Sequence, residues 1–71
     1  METTYKGCDI NIKLLSIKDG LIGYEYCIIV HKGNHSFDQP FSGTINYVGD
    51  NETINHILIK AQKWIDDYLG D

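Results

Sequence analysis

From Cys8 to Leu14, apolar and polar positions alternate: Cys8, Ile10, Ile12 and Leu14 are separated by Asp9, Asn11 and Lys13. A period of two places each set on its own face of a strand, so 5–17 is predicted as a half-buried strand. Lys18-Asp19-Gly20 supplies a turn, and 21–32 forms a second strand with Ile22, Tyr24, Tyr26, Ile28 and Val30 on one face. A three-residue loop over 18–20, with Gly20 left-handed, opposes Ile17 to Leu21. It also sets Cys8 against Val30, Ile10 against Ile28, Ile12 against Tyr26 and Leu14 against Tyr24. A two-residue Asp19-Gly20 turn would move the pairing by one and set buried residues opposite solvated ones. The three-residue loop is therefore expected. It also places Lys13 across from Glu25, a favourable pair on the outer face.

Gly33-Asn34-His35-Ser36 has the composition of a polar loop. A third strand is predicted over 41–48 with Phe41, Ile45 and Tyr47 in phase; its start, at Phe37 or Phe41, is left open by the pattern. Pro40 lacks an N–H and belongs on an edge strand. Gly49-Asp50-Asn51-Glu52 marks a helix start with Asp50 or Asn51 as cap, and Gly70 marks its end. Between about 52 and 69, Ile54, Ile57, Leu58, Ala61, Ile65 and Tyr68 fall on one stripe of a helix with 3.6 residues per turn. Trp64 and Leu69 flank the stripe, and Ile59 falls far from its centre. The predicted fold is α+β: a three-stranded antiparallel meander packed on one C-terminal helix, βββα, as a single domain over 1–71.

Charge and cysteine content narrow the function classes. The chain has 71 residues, 6 Lys, no Arg, 10 acidic residues and a net charge of -4. Without guanidinium groups or a basic cluster, direct nucleic-acid binding is disfavoured. No apolar run approaches the ~20 residues of a membrane span, and Met1-Glu2-Thr3-Thr4 does not read as a secretory signal. Two cysteines predicted on opposite faces, Cys8 inward and Cys27 outward, cannot pair, so a reducing, cytoplasmic location is expected. The net negative charge all lies in residues 34–71, with Asp66, Asp67 and Asp71 as the acidic surface at the C-terminal end.

Tyr5-Lys6-Gly7-Cys8-Asp9-Ile10, three strands, and the closing Trp64-Ile65-Asp66 resemble a group of small uncharacterised bacterial βββα domains. The architecture is similar to the N-terminal domain of HicB-type antitoxins. The resemblance implies the fold and transfers no functional residue. Thr53-Ile54-Asn55 stands where the antitoxin helix begins with an acidic-alanine step, and no DNA-binding segment is expected after the helix.

Catalytic and metal chemistry find no pattern. Cys27, His31 and His35 do not make the paired spacing of a zinc site. Ser36 beside His35 is adjacency in sequence, which is not a nucleophile–base arrangement. Asp66 and Asp67 stand about 100° apart on a helix. No catalytic residue, metal or cofactor is expected, and the chain is read as a non-enzyme. The outer face of the hairpin tip departs from this plainness. Leu15, Ile17 and Leu21 are expected there together, with Ile29 farther along, where an antiparallel sheet should be polar. A bulge near Leu14-Leu15 that returns Leu15 and Ile17 to the core is the competing arrangement. The sequence thus points to a small acidic module that binds a protein partner or a second copy of itself. The alternative is a phage or mobile-element inhibitor of a nucleic-acid-handling defence machine, of anti-CRISPR or anti-restriction type, which sets its acidic C-terminal half against a basic groove.

Overall fold

The computed structural model describes residues 1–70. In chain order it contains β1 (Glu2–Tyr5), β2 (Cys8–Lys18), β3 (Leu21–Lys32), β4 (His35–Asn46) and α1 (Asp50–Leu69). The strands form one antiparallel sheet in the order β1-β2-β3-β4. The α+β class, the meander and the C-terminal helix are as expected, but the sheet has four strands rather than three. The extra one lies ahead of Cys8. Lys6 at φ 50° and Gly7 at φ 81° make a tight turn that folds Glu2–Tyr5 back onto Cys8–Asn11. Glu2-Thr3-Thr4 has no apolar alternation to announce a strand; its pairing rests on the turn and on main-chain bonds. At its start the Met1 ammonium donates to the Ile12 carbonyl at 2.7 Å, and the Ile12 N–H donates to the Met1 carbonyl at 2.8 Å.

The β2–β3 register holds as expected from Asp9–Ile29 to Leu14–Tyr24, including Ile12–Tyr26 and Lys13–Glu25. Beyond Leu14 it changes: Ile17 pairs with Ile22 and Lys18 with Leu21, across a bulge between Leu14 and Ile17. The three-residue loop and the Ile17–Leu21 pair are therefore corrected to a two-residue Asp19-Gly20 turn. Asp19 at φ 55° and Gly20 at φ 77° are the paired positive angles of the turn that matches strand twist. The parity conflict that argued against this turn is absorbed by Leu15 and Ser16 standing together opposite Gly23. The bulge turns Ile17 to the side of Ile22, where Ile22 is buried but Ile17 is still 51% exposed.

β4 begins at His35, so the expected loop 33–36 contracts to the turn Gly33-Asn34, and the strand ends at Asn46 rather than Val48. Its pairing with β3 runs unbroken from Lys32–His35 to Leu21–Asn46. Pro40 does sit on an edge strand.

α1 starts two residues earlier than expected. Gly49 is the N-cap and no side chain caps it, so the assignment of Asp50 or Asn51 is corrected. The Asp50 carboxylate instead accepts the Tyr47 hydroxyl at 2.8 Å. Gly70 closes the helix in the left-handed conformation. The fully buried positions are Thr53, Ile57, Ala61 and Ile65, four residues apart. Thr53, polar and absent from the expected stripe, is tolerated because its hydroxyl donates to the Gly49 carbonyl at 2.8 Å. Tyr68, expected in the stripe, is 42% exposed. A row at four-residue steps follows a ridge inclined by about 26° to the helix axis. The helix therefore crosses the sheet obliquely, from the end of β4 to the β1–β2 turn.

Ile10, Ile12, Tyr24, Tyr26, Ile28 and Val30 meet this row from the sheet, with Leu14, Ile45, Leu58 and Trp64 around them. On the β4 flank the helix is too far across to cover the strand directly, and aromatic rings fill in. Phe41 stacks on Tyr26 at 4.7 Å and meets Trp64 edge-on at 6.1 Å, while Trp64 stacks on Tyr68 at 5.3 Å. Gly43 is needed beneath Tyr24, since a Cβ there would stand 2.8 Å from the tyrosine hydroxyl. The molecule is 43 Å long, against the ~30 Å of a 20-residue helix. The sheet overhangs its cover.

Ile57→Ala and Ile65→Ala should each lose about 2–5 kcal/mol of folding free energy. Ile59→Ala, at a position 65% exposed, should stay within about 0.5 kcal/mol of wild type. Urea denaturation of the three variants checks this, and comparable losses at all three would place the wrong face of α1 on the sheet.

Candidate interaction surfaces

The tip of the β2–β3 hairpin is built by its turn and its bulge. Leu15 lies over Gly23 on the outer face, where a Cβ at Gly23 would come within 3.4 Å of the leucine Cβ. Leu21, paired with Lys18, shares that face. Ile17 emerges on the opposite side. Exposures of 41% for Leu15, 51% for Ile17 and 41% for Leu21 make the tip apolar on both surfaces rather than on the outer one alone. Ile29 is on the outer face but half-buried, beside Glu2, Thr4 and Asp9, and is separated from the tip by Glu25 and Cys27 along β3. The four residues expected to act together thus divide into a tip of three and one remote position.

The acidic end is less available than its sequence implies. Asp66 accepts Lys6 Nζ at 2.7 Å and the Tyr5 hydroxyl at 3.1 and 3.2 Å, so it fastens the end of α1 to the β1–β2 turn. Lys6 first, and then Tyr5, hold its carboxyl below the ordinary value of 3.8 against some opposing desolvation. Asp67 is exposed and stands 3.7 Å from Lys63 on the next turn. Asp71 lies outside the described residues.

The groups with chemical potential are dispersed. Cys8 is buried, and that burial, with a smaller contribution from the Asp9 charge, pushes its thiol above the ordinary 9.0 and away from the nucleophilic thiolate. Cys27 is half-buried on the other side of the sheet. His31 Nε2 lies 2.8 Å from an Asp9 oxygen, a surface pair that the expectations did not include and that the cross-strand Asp9–Ile29 register could have revealed. His35 and Ser36 are consecutive on β4 and so project to opposite faces. Among the described residues no three His, Cys, Asp or Glu side chains gather as for a metal ion, and no buried side-chain polar atom lacks a partner.

The described residues form several open depressions, of which two bear on the sheet's surfaces. One, of about 580 Å³, lies on the outer face among Asn11, Lys13, Glu25, Cys27, Pro40 and Ser42. The other, of about 650 Å³, runs between the end of β4 and the first turns of α1, with Leu21, Ile45, Val48 and Ile59 as its apolar lining. Val48 is 69% exposed. Among the described residues no helix is long and apolar enough to cross a membrane. No family model, curated protein or solved structure matches the chain.

A carboxylate held below its ordinary value stabilises the fold above that value and ceases to do so as pH falls through the lower, folded-state one. Asp66→Asn should therefore lower the melting temperature at pH 7, with the deficit against wild type shrinking below about pH 4. Thermal melts by circular dichroism across pH 2.5–7 (~0.5-unit steps) read this. A deficit independent of pH would mean that Asp66 acts through packing instead.

Proposed function

We propose that this chain is a non-catalytic protein-binding module that engages its partner with the tip of the β2–β3 hairpin. The observation that carries the reading is the joint exposure of Leu15, Ile17 and Leu21 on the two faces of a single hairpin tip. Such side chains add little to the stability of the isolated fold. Against a partner they would contribute about 25 cal/mol for each Å² of apolar surface removed from water. Gly23 lets Leu15 lie flat across the neighbouring strand, which broadens the outer surface of the tip. The reading invokes no cofactor and no metal, and it places the module in a reducing, cytoplasmic setting, where Cys8 and Cys27 remain thiols. An inhibitor of a nucleic-acid-handling enzyme that worked through the acidic helix would have to draw on Asp66, whose carboxylate already serves Lys6 and Tyr5. That reading is the weaker for it.

Ile17→Lys and Leu21→Lys should both fold, with stability within about 0.5 kcal/mol of wild type, because each side chain has a path to water. A partner captured by the wild-type chain from its source cell, and reconstituted from purified components, should bind at least about tenfold more weakly to both variants. Unchanged affinity in both would remove the tip as the binding surface.

A further inference from the structure

The two most exposed large aliphatics are not at the hairpin tip. Val48 (69%) and Ile59 (65%) line the groove beside the end of β4. β4 is an edge strand, and its main chain tells which groups are unpaired. Tyr47, the residue after Asn46, donates its N–H to the Gly20 carbonyl at 2.9 Å. The β3–β4 register is unbroken, so odd-numbered residues of β4 direct N–H and C=O towards β3 and even-numbered ones direct them outward. Pro40, lacking an N–H, falls in the outward set. The outward groups of Ser42, Thr44 and Asn46 form a regular, uncharged stretch. The rest of the edge is blunted by Pro40 and Asp38. The other side of the sheet is protected differently, by the short β1 and then by the bulge at Leu15-Ser16.

We propose that two copies of this chain join through this stretch, antiparallel about Thr44, into one continuous eight-stranded sheet. Of the registers that bring outward groups together, the one centred on Thr44 keeps Ser42, Thr44 and Asn46 paired among themselves; centring on Gly43 sets Pro40 against Asn46, and centring on Ile45 sets Ser42 against Val48, beyond the end of β4. With Thr44 opposite Thr44 of the second copy, Ser42 faces Asn46, and every outward donor and acceptor from 42 to 46 is used. Centring on Ser42 sets Pro40 against Thr44 and forfeits a hydrogen bond. Centring on Asp38 opposes two carboxylates. In the Thr44 register the outer face pairs Thr with Thr and Ser with Asn, which are favourable polar neighbours. The inner face pairs Gly43 with Ile45 and brings Phe41 to Tyr47, so apolar positions meet apolar positions. Both helices then lie on the same side of the joined sheet, and the grooves holding Val48 and Ile59 adjoin the dyad. A foreign strand could use the same hydrogen bonds, but it would not be matched on both faces by this chain's own side chains. The inference does not rest on the hairpin-tip reading.

The contact is small, so self-association on the order of 10 μM is expected. Light scattering after size exclusion should show mostly dimer at ~200 μM and monomer at ~1 μM. Thr44→Pro removes only outward N–H groups and should weaken dimerisation by about 30–100-fold while the helix and sheet signals persist. Thr44→Lys, which opposes two ammonium groups, should do the same and serves if the proline variant fails to fold. Cross-linking then reads the register in a Cys27→Ser background. Thr44→Cys should oxidise to a covalent dimer, since directly opposed residues place their Cα atoms about 5.5 Å apart. Ser42→Cys should cross-link to Asn46→Cys in a mixture but not to itself, being about 13 Å from its own copy. Ile17→Lys should leave the dimer intact. A wild-type chain monomeric at ~1 mM, a dimer that survives both Thr44 variants, or self-cross-linking of Ser42→Cys overturns the proposal.

Discussion

The oblique contact between α1 and the sheet is the constraint on which the rest of this small structure depends. Thr53, Ile57, Ala61 and Ile65 are fully enclosed, and their four-residue spacing sets the angle at which the helix crosses the strands. Ala61 at the middle of that row keeps the helix close. The crossing angle then decides which parts of the inner face are covered by helix, which by the aromatic rings around Phe41 and Trp64, and which not at all. At the start of β4 the cover thins to one ring contact, Phe37 edge-on to Tyr68 at 5.8 Å, and Phe37 stays 39% exposed. Polar contacts add to this packing at the two ends of the helix: Tyr47 to Asp50 at one, Tyr5 and Lys6 to Asp66 at the other.

Most of the inner face could be read from periodicity. Alternation in 8–14 and 22–30 gave the right partners wherever both strands stay regular, and the helical spacing gave Ile57, Ala61 and Ile65. What could not be read has physical causes. β1 is made by a turn and by main-chain bonds, and Glu2-Thr3-Thr4 has no apolar pattern to signal it. Thr53 is polar by identity but satisfied within its own turn of helix. Parity alone favours the three-residue loop, but a bulge changes parity, and the strong preference of Asp-Gly for a two-residue turn outweighs the cost of one irregularity. Of the candidate surfaces, the tip aliphatics were legible as an excess over a polar face, although the side on which Ile17 emerges was not. The acidic end was legible as charge, but not as a carboxylate occupied by the β1–β2 turn, because that contact joins residues sixty positions apart. The β4 edge needed the main-chain directions, which side-chain patterns do not carry.

The meander has a consequence for the order in which the chain acquires structure. Every strand pairs with its neighbour in sequence through a tight turn, so the sheet can form from local encounters, the kind that folding reaches fastest. Its lid follows all four strands in the chain. During synthesis the pleated surface carrying Ile10, Ile12, Tyr26 and Ile28 is laid down before the segment that shields it has left the ribosome. For that interval the nascent chain shows its apolar side to the cell. Shielding is complete only when Ile65 docks and Asp66 reaches Lys6, the contact that brings the end of the helix to the first turn of the sheet.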